Sequence, residues 1–235
     1  MRHVRVRTPA GIETGTLAGQ EVVTAAGTYA ADAVEWCVPT APSAVYCVGR
    51  NYASTNAEMG YERPSEPTFF LKPPAALVAH QQPVVTPRFT EHLVGAGELA
   101  VVIDTDCRDV APADVDAVVR GYTILCDMDA RDQQTLTARK VFQTAAPVGP
   151  AVVTDVDPAA MAMRTTVDGA EVQAGSTAEL LFDVPTVIAY LSARVQLRAG
   201  DIVAMGSPGH TGPLEAGDVV RASYEGLGTL ETPIH

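Results

Sequence analysis

Short apolar or β-branched runs, each closed by glycine or proline, recur along the chain. They are Val4 to Arg7, Gly15 to Leu17, Glu21 to Thr24, Val45 to Val48, Thr68 to Leu71, Leu99 to Ile103, Tyr122 to Cys126, Ala151 to Thr154, Arg164 to Val167, Ile202 to Ala204 and Val219 to Ala222. Branched side chains fit a pleated backbone, and glycine or proline stops a helical ladder before it propagates, so runs of this length read as strands. With 19 Gly and 17 Pro in 235 residues the punctuation is dense, and the expectation is a β-dominated α+β fold. Helical spacing is confined to Ala113 to Val119, after Pro112, and to Ala178 to Arg194, where Leu180, Leu181, Val184, Val187, Ile188 and Leu191 recur. Pro185 interrupts the second stretch, so a new helix is expected to begin near it.

The first 40 residues are small strands between glycine turns and end at Pro39-Thr40-Ala41-Pro42. They are expected to form a small N-terminal β module with a linker, and residues 41–235 the main domain. A net charge of -12 and a pI near 4.7 argue against a nucleic-acid surface, which needs clustered Lys and Arg, and leave a small-molecule substrate as the expected partner. No run approaches the ~18 apolar residues of a membrane helix, and the N-terminal MRHVRVRTPAG lacks the apolar core of a signal peptide. A cytoplasmic protein with no membrane partner is expected. The four cysteines, Cys37, Cys47, Cys107 and Cys126, are scattered without the paired spacing of zinc or redox sites and read as reduced thiols.

Four polar constellations interrupt the apolar runs. In the first, RNYASTNAEMG (Arg50 to Gly60) follows a strand and precedes EPTFFLKP, which sets Lys72 at a strand end between prolines. Such a lysine either snorkels to the surface or partners an oxyanion inside a pocket. In the second, Glu98 opens the apolar run GELAVVI, as an edge charge or as an oxygen ligand for a hard cation. In the third, GYTILCDMDARDQQ runs from a strand into three acids and Arg131. That is a solvated turn, or a metal carboxylate, Asp127, followed by substrate-binding groups. The fourth, GSPGHTG from Gly206 to Gly212, is either a plain turn or a backbone cradle for an anion.

Taken in order, CVGRNYA, EMG, EPTFFLKP, ELAVVI, GYTILCDMDARDQQ, KVFQTAAPVGP, FDVPTVIAYLS and GSP resemble the fumarylacetoacetate hydrolase superfamily. The match is to its small acylpyruvase-type and oxaloacetate-decarboxylase-type members, from about Val45 to the C-terminus. The resemblance implies a mixed β-sheet roll with few helices, a homodimer or larger assembly, and Mg or Mn held by a Glu-x-Glu pair and an aspartate. It also implies a His-x-x-Glu dyad that activates water. Carried over by position, Glu98 and Asp127 match metal ligands, Glu58 the dyad glutamate, and Lys72 and Lys140 the two lysines. Gln134 matches the polar residue after A-R-D, and Ser207 stands where threonine is usual.

The departures narrow the chemistry. Ala96 stands at the first metal glutamate and Thr55 at the dyad histidine. Threonine has no useful basicity near neutral pH, so water-dependent C–C cleavage by the usual route is disfavoured, and the metal is expected to bind weakly or not at all. The expectation is an enzyme acting on a 2-oxo or 1,3-dicarbonyl substrate by enolisation: tautomerisation, decarboxylation, dehydration or cyclisation. Glu58, Lys72 and Lys140 are its expected catalytic groups. Arg50, Tyr52, Thr55, Arg131, Gln134, Ser207 and His210 are the expected substrate-binding residues, with His210 the best-placed substitute base. The rival readings are an ordinary metal-dependent hydrolase or decarboxylase and an inactive homologue that binds a ligand or partner.

Overall fold

The computed structural model covers residues 1–235 and describes all of them except the side chain of Glu58. The largest sheet has 13 strands. Its main path runs Thr28–Ala30, Glu21–Thr24, Gly11–Ala18, Arg2–Thr8, Ala151–Val153, Val119–Cys126, Gly97–Ile103, Ile202–Ala204, Val45–Gly49 and Thr68–Lys72. Pairing is antiparallel except that Ile202–Ala204 lies parallel to Val45–Gly49, and Ala146–Val148 to Leu77–Ala79. A 4-stranded antiparallel sheet, Ala170–Ser176, Ala162–Val167, Val219–Tyr224 and Gly228–Pro233, packs against it. The fold is the β-dominated mixed-sheet roll expected from the sequence. Residues 2–30 extend the main sheet itself, through Arg2–Thr8 pairing with Ala151–Val153.

The central strand Gly97–Ile103 is buried at every position, the signature of a strand covered on both faces. The second sheet approaches it most closely at Gly97, where a Cβ would lie 2.6 Å from Thr165 Oγ1 and 2.7 Å from the Ala222 Cβ. The absence of a side chain there brings the two sheets together beside Glu98. The parallel pair is set by Asp201, fully buried, whose carboxylate accepts the N–H groups of Ser43, Ala44 and Arg198 and the Ser43 hydroxyl. Four donors on one carboxylate fix where both strands start.

Three short α-helices punctuate the sheets among the described residues: α1 (Ala53–Glu58), α2 (Leu136–Lys140) and α3 (Val184–Ser192). Asp183 caps α3 by accepting the Thr186 N–H, and Pro185 sits in its first turn, so the helix begins where the sequence places it. The preceding part of that stretch is not α-helical; only Thr177–Glu179 forms a 3-10 turn, closed by a Ser176/Glu179 capping box. The expected helix after Pro112 is likewise a 3-10 turn, Pro112–Ala117, with Val115 its one buried residue, too little apolar face to hold an α-helix in place.

Candidate active site

Glu98 opens the central strand and is 4% exposed. Its Oε2 accepts the Gly206 N–H at 2.9 Å, and Oε1 has no hydrogen-bond partner among the described residues. Burial, and after it the neighbouring Asp127 charge, push this carboxyl up to about 8, against the pull of the Gly206 N–H and of Lys140 and Lys72. It therefore holds a proton more readily than an ordinary glutamate.

Asp127 follows the strand Val119–Cys126, with its own N–H bonded to Ala96 O at 2.8 Å. Its Oδ2 is bonded by the Lys140 ammonium. Lys72 Nζ lies 2.9 Å from Oδ1, but its N–H groups go to the carbonyls of Met128, Ala145 and Lys140 at 2.8, 2.9 and 3.1 Å. An ammonium has three donors, so Lys72 supplies charge to Oδ1 without a hydrogen bond, and Oδ1 is a buried oxygen lacking a donor among the described residues. The side chain of Lys72 is wholly buried and does not line the cavity. The expectation that Lys72 meets substrate is thus corrected: it braces Asp127 and the end of α2 from behind.

Lys140 closes α2 and does line the cavity. Burial works against its charge, but Asp127 and Asp129 outweigh it, and the pKa is raised. The amine therefore stays an ammonium. Asp129 is gripped by Arg139 through both oxygens and by Lys140 at 3.2 Å. Burial alone would raise its pKa; the Arg139 and Lys140 contacts reverse this and hold it below the usual carboxylate range. Neither Asp129 nor Arg139 was among the residues singled out from sequence, although both line the cavity. The run of acids around Asp127 and the basic pair before Val141 were the available signals.

Gly206 to Gly212 forms one wall. Thr55 on α1 donates to Ser207 O at 2.7 Å and accepts the Gly209 N–H at 2.8 Å. Where the family resemblance expects a base, the chain has a tie between helix and loop. His210 Nδ1 accepts the Gly212 N–H at 3.0 Å, and Nε2 lies 2.8 Å from the Arg131 guanidinium.

The cavity bounded by these groups measures about 520 Å³ and gathers Glu98, Asp127, Lys140, Arg50, Thr55, Arg131, Ser207 and His210. It does not gather Tyr52 or Gln134. Tyr52 is 1% exposed, with burial raising its pKa and its hydroxyl unpartnered among the described residues; it caps the start of α1 and bridges to Leu180. Gln134 is exposed, because the chain turns outward before α2. The side chain of Glu58 lies outside the described residues. A larger groove of about 760 Å³ runs along Val119 to Tyr122 and Asp155 to Ala159 and holds none of the expected catalytic or binding groups among the described residues.

A buried carboxyl with raised proton affinity, facing a lysine ammonium in a concave site, is equipment for proton transfer next to a carbonyl. Residues 44–235 match the family described as fumarylacetoacetate (FAA) hydrolase C-terminal. The chain belongs to this family and is one of its enzymes. It is 34% identical, with a TM-score of 0.92, to 5-carboxymethyl-2-hydroxymuconate delta-isomerase from Mycobacterium smegmatis, over 100% of this chain and 98% of that one. Oxaloacetate tautomerase FAHD1, mitochondrial, of Bos taurus is 36% identical over 78% of this chain and 87% of its own. The structure of maleylpyruvate hydrolase from Sphingobium sp. SYK-6 in complex with manganese (II) ion and pyruvate is 27% identical, with a TM-score of 0.88, over 100% of this chain and 98% of that one. No helix of the described residues is long and apolar enough to cross a membrane.

Proposed function

We propose that the chain interconverts keto and enol forms of a 2-oxo or 1,3-dicarbonyl acid without a hydrolytic water. The observation that carries this is the pairing of Glu98 with the Lys140–Asp127 contact at the floor of the cavity. The C–H bond next to the ketone breaks, and its proton passes to Glu98 Oε1 while the electron pair moves onto the carbonyl oxygen. The Lys140 ammonium offsets the oxyanion charge that develops there. Returning the proton to the other end of the enolate completes an isomerisation. Glu58 keeps its expected role as a second proton carrier on the strength of the sequence resemblance. The named relatives include a tautomerase and an isomerase, which supports this reading over hydrolysis, as does Thr55 in place of the histidine.

The donor set does not suit a resident divalent ion. Ala96 supplies no carboxylate, Asp127 is held by two ammonium groups, and among the described residues no group of three or more His, Cys, Asp and Glu is placed to hold a metal. Hard cations of this kind want six or more oxygens, several of them anionic. We therefore propose that the reaction proceeds without a metal. We also infer a homodimer: Thr68–Lys72 ends the main sheet with an open edge and Leu71 51% exposed, the kind of edge a partner covers, and the mass in solution tests it.

The deciding experiment follows solvent deuterium entering the carbon next to the ketone of oxaloacetate and acylpyruvates, after dialysis of the protein against a chelator. Exchange that survives the chelator without release of cleavage products is expected, and Lys140→Met should reduce it by about a hundredfold or more, the usual worth of a lost oxyanion partner. Stoichiometric cleavage, or activity that disappears with chelator and returns with Mn²⁺, would sink the reading.

A further inference from the structure

Among the described residues lining the cavity, the cations of the floor are committed to carboxylates. Lys140 is held by Asp127 and Asp129, Arg139 by Asp129, and Arg131 lies 3.8 Å from Asp129. Arg50 differs. It is exposed and forms no ion pair with a described carboxylate; its guanidinium stacks 4.3 Å over the ring of Tyr61, itself 40% exposed at the mouth.

The backbone at this arginine is also unusual. Arg50 has φ +58, a left-handed conformation that side chains other than Gly, Asn and Asp seldom adopt. Two buried asparagines that follow it hold the chain in place. Asn51 donates to Phe182 O and Met205 O and accepts the Phe182 N–H, while Asn56 donates to Arg50 O itself. An arginine serving only to solvate the surface needs neither a strained backbone nor such a frame, whereas strain held in place by surrounding bonds is typical of ligand clamps. The same cavity also carries apolar wall, including Met59, Phe69, Phe70 and Leu136.

We propose that Arg50 is the specificity-determining residue of the site. It receives an anionic group at the far end of the substrate and so selects chains carrying a distal carboxylate over equally long chains with a neutral end. This rests on the enolisation reading for the near end of the substrate, which meets Lys140 and Glu98. The guanidinium fork matches a carboxylate through two parallel N–H bonds, and Tyr61 keeps the fork from swinging away into solvent.

The test compares 2-oxoheptanedioate with 2-oxoheptanoate, matched in length and differing in the distal charge, on wild type, Arg50→Met and Arg50→Lys. Dissociation constants come from calorimetry, and kcat and KM from deuterium exchange. Wild type is expected to prefer the diacid, and Arg50→Met to lower that preference by about ten- to a hundredfold, the worth of a charged hydrogen bond. The loss should fall in KM and Kd rather than kcat, with Arg50→Lys recovering part of it. An equal loss on both acids, or an unchanged preference, overturns the assignment. If wild type exchanges neither acid, the enolisation reading fails, and the calorimetric preference still decides the role of Arg50.

Discussion

Thr55→Val removes one hydroxyl and with it both ties between α1 and the loop, the bond to Ser207 O and the bond from the Gly209 N–H. Ser207 O and the Gly209 N–H would keep only the bond they make to each other at 3.2 Å, and losing the hydroxyl should cost about 1 kcal/mol locally. The Gly209 amide is therefore expected to exchange with solvent at least about fivefold faster in Thr55→Val, and Thr55→Ser should restore protection. Equal exchange rates in all three proteins would show that the hydroxyl does not hold the loop. Position 55 also marks the limit of what the sequence reveals. That a threonine occupies the place of a base is legible from the run RNYASTNAEMG, but its partners lie 152 and 154 residues away, and no local pattern predicts a contact of that kind. Lys72 is similar: its position at a strand end is plain, yet whether it faces solvent, substrate or carbonyl oxygens depends on Met128, Ala145 and Lys140 arriving from elsewhere.

The strands expected from β-branched runs coincide with observed strands, Ala151 to Thr154 overrunning its strand by one residue at Thr154, because each buries enough apolar surface for its pattern to register. Ala170–Ser176 and Gly228–Pro233 of the second sheet escaped, each mostly exposed or half-buried, and so did the shortest elements. Leu93–Val94 and Asp129–Ala130 pair over two residues each, too few to show any period, yet they frame the floor of the cavity. The five residues of α2 are fewer than two helical turns, and their N-cap, Thr135, accepting the Ala138 N–H, is recognisable only once the helix is known. The contact between the two sheets gives a prediction at this scale. In Gly97→Ala the added methyl would meet Thr165 and Ala222 at 2.6 and 2.7 Å, far inside van der Waals contact. The sheets must part, at a cost of about 1–3 kcal/mol, and Glu98 next in the chain moves with them. Denaturant unfolding should report the lost stability, and activity should fall more than stability alone explains. A variant as stable and active as wild type would mean that the sheets are not locked at Gly97.

Across the whole molecule, His80 joins three parts of the fold. It follows the strand Leu77–Ala79 of the main sheet, its Nδ1 accepts the Glu231 N–H of the second sheet at 3.0 Å, and its ring meets Trp36 of the N-terminal strands edge-on at 5.7 Å. A proton on Nδ1 would break the bond to Glu231, and burial, opposed only in part by the Glu231 charge, pushes the ring down to about 4 from 6.5. The unfolded chain therefore takes up a proton as pH falls below about 6.5, while the folded ring does not until about 4. The stability this joint contributes is complete above the upper value and is lost progressively as pH falls through the window to the lower one. At 1.36 kcal/mol per unit the loss is at most about 3 kcal/mol, and less for a ring that solvent partly reaches. Carboxylates such as Asp129 also lose native contacts on acidification, so the histidine is isolated by difference. His80→Asn keeps an acceptor for the Glu231 N–H but does not titrate. Between pH 6.5 and 4 the unfolding free energy of wild type should fall more steeply than that of His80→Asn; parallel curves would show that the three parts are joined by something other than a neutral histidine.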